Sequence, residues 1–183
     1  MSKLSILKNS CDGCITYYVG DDLSHVEHLS NCTLICHKDF NPKLNGVNLR
    51  KVDDPQLEFY KLSHQVEGGY TFDKNRNLSM GSGCNISLTA VIGDDVSIGD
   101  NVTIGPNTVI YSKTTIGNGT RIDANVTVGT EGMMWVWDQN EKIFLKQLGG
   151  VIIGSNCIIG SNSAIVRGSA NELTIIEDNV NIA

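Results

Sequence analysis

Ile92-Gly93-Asp94-Asp95-Val96-Ser97-Ile98-Gly99-Asp100-Asn101-Val102-Thr103-Ile104-Gly105-Pro106 decides the fold, because an isoleucine returns in it every six residues. The series runs outward through Ile86 on one side and through Ile110, Ile116, Ile122 and Val128 on the other. Tripeptides of one kind accompany it, such as Ile98-Gly99-Asp100 and Ile116-Gly117-Asn118. The pattern resumes at Ile153-Gly154 and Ile159-Gly160. An α-helix turns every 3.6 residues, so it cannot hold identical side chains inward on a period of six. Three short extended edges per turn can. One aliphatic per edge points inward, and Gly or Asn makes each corner. Coils then stack at a strand spacing of about 4.8 Å, which is a parallel β-helix.

The 183 residues leave room for one domain and a small second one. A net charge of −6, with no basic stripe, argues against nucleic acid as a partner. No apolar run approaches the ~18 residues of a membrane span. Met1-Ser2-Lys3-Leu4 lacks the apolar core of a signal peptide. A cytoplasmic chain is expected, with its six Cys reduced.

Residues 1–65 do not repeat and read as a small α/β domain. Cys14–Val19, Cys32–Cys36 and Val47–Val52 read as strands. Gly20-Asp21-Asp22 is a turn and N-cap signal before a short helix, Leu23 to Leu29, with Leu23, Val26 and Leu29 on one side. Asp53-Asp54-Pro55 caps a helix carrying Leu57, Phe59, Tyr60 and Leu62. Residues 66–82 read as a linker, polar and Gly-rich over most of that stretch. The coil is assigned to residues 83–183, with a hairpin insertion at 129–149. There two apolar runs, each side of Asp138-Gln139-Asn140-Glu141, suggest a protruding β-hairpin holding both tryptophans. It is either a loop that packs its own Trp side chains or a flap over a site between subunits. The repeat skips again near Arg167–Asn171.

Cys11-x-x-Cys14 and Cys32-x-x-x-Cys36 have the spacing of a zinc ligand set. Residues four apart on a strand stand roughly 13 Å apart, so one metal cannot hold both of the second pair. Buried packing thiols are the expectation, and no metal site is predicted. His25 and His28 read as two solvated side chains on the short helix. Asp94, Asp95 and Asp100 read as turn formers. All four His, at 25, 28, 37 and 64, precede the repeats. A coil without His cannot supply a His general base or a His-bound zinc by that route.

Three stretches together resemble the UDP-3-O-(3-hydroxyacyl)glucosamine N-acyltransferase family of lipid A biosynthesis. Ile15–Val19, followed by Val52-Asp53-Asp54-Pro55-Gln56-Leu57-Glu58-Phe59, is similar to that family's uridine-binding domain. The hexads form the second stretch. Gln147-Leu148-Gly149-Gly150-Val151-Ile152-Ile153-Gly154, then Ile165-Val166-Arg167-Gly168-Ser169-Ala170, is the third and most specific. The resemblance covers nearly the whole chain. It implies a left-handed coil, a homotrimer, an acyl-carrier-protein thioester donor and a UDP-amino-sugar acceptor, with no metal or nucleotide cofactor consumed. It implies substrate-binding roles for Tyr17, Leu23, Glu177 and Asn181. In the family a segment like Asn181-Ile182-Ala183 is followed at once by the His that serves as base. No catalytic residue is therefore expected within this chain. The coil is expected to be truncated, and these residues alone to show no turnover. Where the family sandwiches uracil between Phe and Tyr, Tyr17 fits the Phe position and Leu23 stands at the Tyr position. Gly20-Asp21-Asp22 replaces an Asn-Pro-Lys segment, which should weaken nucleotide binding. Two other functions stay open: an acetyl-CoA-dependent amino-sugar N-acetyltransferase, and a non-catalytic nucleotide-sugar-binding or structural β-helix protein.

Overall fold

A computed structural model describes residues 3–66 and 77–183. They fall into two compact units. One contains residues 3–66 with Met133–Gln147 and Ser169–Glu172. The other contains residues 77–132, Leu148–Gly168 and Leu173–Ala183.

In the first unit, β1 (Lys3–Leu4), β2 (Cys14–Tyr17), β3 (Thr33–His37) and β4 (Asn48–Val52) form a parallel sheet in sequence order. Helix α1 (Pro55–Ser63) follows β4. Its start is set locally. The Asp54 carboxylate accepts from the Leu57 N–H at 2.9 Å, and Pro55 sits where an N–H would have no partner. Phe59 and Tyr60 are buried. A core of Cys14, Cys32, Leu34 and Cys36 with Val26, Leu29 and Phe40 also forms in this unit. The short helix expected from Leu23 to Leu29 is instead a single 3-10 turn, Leu23–His25, followed by tight turns. Asp22 caps it through the Ser24 N–H, and the backbone closes partly by i→i+3 bonds, Leu23 O to Val26 N–H and Val26 O to Leu29 N–H. Val26 and Leu29 are buried but Leu23 is 48% exposed, so the three do not share an apolar face. His25 and His28 are not merely solvated. His25 Nδ1 lies 3.0 Å from the Tyr18 hydroxyl, and His28 Nε2 lies 3.1 Å from the Leu7 carbonyl.

Met133–Gln147 also belongs to this unit. Trp135–Asp138 pairs antiparallel with Glu141–Phe144. Trp135 and Trp137 meet edge to face at 5.2 Å, with Lys142 Nζ 4.4 Å from the Trp135 ring centre.

The second unit is a coil of parallel strands in three sheets. Register partners are 18 residues apart, or three hexads per coil: Ile92 with Ile110, Ile98 with Ile116, Ile104 with Ile122. Each edge sends two side chains inward rather than the expected one. Val96, Val102, Thr108, Thr114, Thr120 and Val126, each two residues before an aliphatic of the series, are buried at 0 or 1% exposure. The reason is strand geometry: residues i and i−2 share a face, and only the one between them points out. The inward threonines return their hydroxyl hydrogens to carbonyls, Thr108 to Asp123 and Thr120 to Gly154, each at 2.7 Å. Corners fall on left-handed residues such as Asp95, Asn101, Asn107 and Asn125. Asp100 accepts from the Ser82 N–H at 2.7 Å, so Asp95 and Asp100 are turn formers.

Coil pairing begins earlier than residue 83. Ser79–Met80 already pairs with Ser97–Ile98, because Met80 extends the six-residue series backward from Ile86. Of the linker expected at 66–82, residues 67–76 lie outside the described residues. Register partners are 37 residues apart across the first excursion and 23 across the second, against 18 elsewhere.

Candidate ligand pocket

Strands β2, β3 and β4 are parallel, so their carboxyl ends lie along one edge of the sheet, where ligands bind in open parallel sheets. Three loops leave from that edge. They border an open cavity of about 830 Å³. Val19, Gly20, Asp21 and Leu23 line it after β2. His37, Asp39, Phe40 and Asn41 line it at the end of β3, and Asp53, Asp54, Pro55 and Gln56 after β4. The lining is therefore partly apolar, from Val19, Leu23, Phe40 and Pro55, with four aspartates around it.

The charges are partly answered. Lys38 Nζ lies 2.5 Å from the Asp53 carboxylate. That hydrogen bond and charge hold Asp53 below the usual carboxylate range and raise Lys38. His37 Nδ1 lies 3.4 Å from Asp39, and the Asp39 N–H donates to the same ring. Lys51 Nζ donates to Asn41 at 3.0 Å. Beside the cavity, Asp22 is held below its ordinary value by the Ser24 backbone N–H and hydroxyl.

The expected substrate residues are distributed as follows. Leu23 is on the wall. Tyr17 is not among the lining residues. Its ring packs against Phe59 of α1 at 4.8 Å, and desolvation, then the neighbouring Tyr60, pushes its hydroxyl pKa up. Glu177 and Asn181 lie in the other unit, both exposed, with Asn181 paired in register to Ile158. His37, Asp39, Phe40 and Asn41 escape motif reading. The rule that ligands gather at the carboxyl ends of parallel strands would have found them. Among the described residues no three His, Cys, Asp or Glu side chains are arranged to hold a metal ion. Nor is any helix long and apolar enough to cross a membrane, among those residues.

Comparison with known proteins adds the following. The family model described as bacterial transferase hexapeptide (six repeats) matches residues 95–130. That described as hexapeptide repeat of succinyl-transferase matches residues 150–169. A UDP-3-O-acylglucosamine N-acyltransferase of Xylella fastidiosa (strain 9a5c) is 40% identical over 62 residues, 34% of this chain and 18% of that protein. One of Xanthomonas oryzae pv. oryzae (strain MAFF 311018) is 36% identical over 66 residues, 36% of this chain and 19% of that protein. One of Saccharophagus degradans is 40% identical over 63 residues, again 18% of its length. The matched stretch thus spans less than a fifth of these relatives. The resemblance to UDP-3-O-acylglucosamine N-acyltransferases, carried in the sequence by its motifs, is supported by these matches.

Proposed function

We propose, starting from that similarity, that this protein serves acyl transfer to the amine of a UDP-amino sugar in lipid A or surface-polysaccharide synthesis. The observation that supports it most is the 40% identity over 62 residues to a UDP-3-O-acylglucosamine N-acyltransferase, in a chain that also matches transferase hexapeptide repeats. In this reading the coil is left-handed and the assembly a homotrimer. The donor is an acyl-carrier-protein thioester, with acetyl-CoA as the alternative, and no metal or nucleotide cofactor takes part. The amine attacks the thioester carbonyl, a C–N bond forms, the C–S bond breaks, and the amine proton passes to a base. No residue of this chain is assigned as that base. Glu177 and Asn181 are assigned as polar neighbours of that base.

The cavity of the first unit takes the nucleoside end. Its apolar wall, with Leu23, suits a neutral base. Tyr17 acts through Phe59 as a positioning residue for α1. The four aspartates set a restriction. A diphosphate among Asp21, Asp39, Asp53 and Asp54 meets like charge, so the phosphates point away from them.

Calorimetric titration with UDP-glucosamine tests this. Saturable binding is expected, weakened about tenfold or more by Leu23→Glu. Affinity should hold or rise as salt is added, because screening relieves the repulsion. Absence of saturable binding, or an affinity that falls steeply with salt as in a phosphate cradle, overturns the assignment of the cavity. A second reading, a non-catalytic nucleotide-sugar-binding protein, is favoured by the position of all four His at or before residue 64. Binding without turnover when acyl-carrier-protein and acetyl-CoA thioesters are both supplied would select it.

A further inference from the structure

Three thiols of the first unit converge at one end of β2. Cys11-Asp12-Gly13-Cys14 is a tight turn, closed by the Cys14 N–H donating to the Cys11 carbonyl at 3.0 Å. Gly13 supplies the left-handed residue it needs, at φ +73°. The Cys11 N–H donates to Cys14 Sγ at 3.2 Å, which brings that sulfur back over Cys11. Ile15 pairs with Thr33, and Gly13 N–H donates to the Asn31 carbonyl at 2.7 Å. Cys14 and Cys32 are therefore opposite one another on adjacent parallel strands, a separation a disulfide can span. The Cys14 sulfur lies near enough to both the Cys11 and the Cys32 thiols to raise the pKa of each. Cys14 and Cys32 are buried, at 1% and 5% exposure, while Cys11 is exposed. All are free. Cys36 lies four residues beyond Cys32 on β3, out of reach, and Cys84 and Cys157 belong to the other unit.

We propose that Cys11, Cys14 and Cys32 form a peroxide-sensitive thiol site, in which exposed Cys11 is oxidised and Cys14 resolves it as a disulfide. A hydroperoxide ROOH transfers one oxygen atom to the Cys11 sulfur. Its O–O bond breaks, ROH leaves, and Cys11 becomes a sulfenic acid. The Cys14 sulfur attacks that sulfur, the S–O bond breaks, the S–S bond forms, and water departs with the Cys14 proton. Two thiols and one hydroperoxide thus become one disulfide, one alcohol and one water. Cys32 can then attack Cys14, expel Cys11 as a thiol and move the bond onto the sheet. Desolvation and the Cys14 sulfur raise the Cys11 thiol above its ordinary pKa, and desolvation first, then Cys14, pushes Cys32 up to about 11. Cys11 and Cys32 are therefore protonated at rest, and oxidation of Cys11, which runs through its thiolate, accelerates as pH rises.

Reduced 183-residue protein is treated with hydrogen peroxide at pH 7 and pH 9, alkylated, and mapped by mass spectrometry without reduction. Two of the six thiols are expected to disappear into a disulfide linking Cys14 to Cys11 or to Cys32, faster at the higher pH. Cys11→Ser, at an exposed position that does not test folding, should slow this about tenfold. The proposal is overturned if no disulfide forms, if it joins other cysteines, or if Cys11→Ser oxidises as fast as the natural chain.

Discussion

Replacing Arg167 by Met should loosen the coil where its chain leaves for the first excursion. Arg167 is only 5% exposed, unusual for a guanidinium. Its Nε donates to the Gly129 carbonyl at 2.7 Å and its terminal nitrogen to the Ser112 carbonyl at 2.9 Å. Its backbone N–H donates to the Thr130 carbonyl at 2.9 Å. Those contacts bridge the strand that ends at Thr130, where the register shifts after Val128, to the corner below it. A hydrogen bond from a charged group contributes about 1.5–3 kcal/mol, so two contribute about 3–6 kcal/mol gross. Burying the cation opposes this, and desolvation lowers its pKa despite Glu131 nearby. That burial cost vanishes with Met, returning about half of the gross figure. A net loss of about 1.5–3 kcal/mol follows, which at 1.4 kcal/mol per decade speeds amide exchange in the coil about 10- to 150-fold. Hydrogen exchange read on peptides covering residues 110–132, beside a urea titration, measures it. Arg167→Lys, which keeps the charge but cannot fork, should lose about half as much. A loss below about 0.5 kcal/mol with Arg167→Met would refute the assignment of this guanidinium as the tie across the break.

Ile122→Ala, at a fully buried rung between Ile104 and Ile159, should cost about 2–5 kcal/mol in urea denaturation, with the first unit's circular-dichroism transition unmoved. Gly117→Ala would set a Cβ 2.5 Å from the Gly154 carbonyl carbon on the next coil. Backbone cannot give way there as a flexible side chain can, so about 1–3 kcal/mol should be lost, read as a lower melting temperature. The carboxyls of Asp22, Asp53 and Glu172 are all held below their ordinary range in the fold, by Ser24, Lys38 and Ser169 respectively. The unfolded chain therefore binds protons first as pH falls. Their stabilisation is complete above the ordinary carboxylate range, about pH 4–5, and is lost below it. Melting temperatures should be flat down to about pH 5 and fall below about pH 4; a rise on acidification would contradict the sign.

The coil was legible because its signal is periodic: Ile98, Ile104, Ile110, Ile116 and Ile122 are all buried at 2% exposure or less. Half of its interior was not. Thr108, Thr114 and Thr120 look like surface residues in a one-dimensional reading, since a hydroxyl costs free energy when buried unpaired. Their carbonyl partners belong to corners of the same coil or of a neighbouring one, and Thr120's partner Gly154 is 34 residues away. Sequence spacing alone carries no trace of that. In the first unit, Asp54-Pro55 marked the start of α1 because capping is local. Leu23, Val26 and Leu29 misled, because spacing by three suggests a face only if the helix persists beyond one turn. The pocket was half legible. Leu23 follows from the family resemblance, at the position of the family's Tyr, whereas His37 and Asp39 reach the cavity only because β3 ends beside β2.

The two departures from the six-residue period have a common physical origin in the first unit. A chain of about 60 residues buries only about 60% of the surface it exposes when unfolded, and is marginal alone. The excursions add what residues 3–66 lack. From Met133–Gln147, the Lys146 N–H donates to the Ser63 hydroxyl at 3.0 Å and Lys146 Nζ to the Val66 carbonyl at 2.8 Å. His64 Nε2 lies 2.7 Å from the Phe144 carbonyl, and Lys61 pairs with Asp138 at 2.5 Å. The end of α1 is thereby tied to the hairpin. From Ser169–Glu172, the Asn171 side chain accepts from the Ile6 N–H and donates to the Asn9 carbonyl, both at 3.0 Å. Glu172 pairs with Lys8 at 3.2 Å. The segment after β1 is thereby held as well. An insertion that only decorated a coil corner would make few hydrogen bonds outside itself. These make several, to backbone and side-chain groups at both ends of the first unit. Met133–Gln147 is therefore structural for that unit whatever further role its exposed tryptophans carry, and the interruptions of the repeat are where the chain returns to complete its first domain.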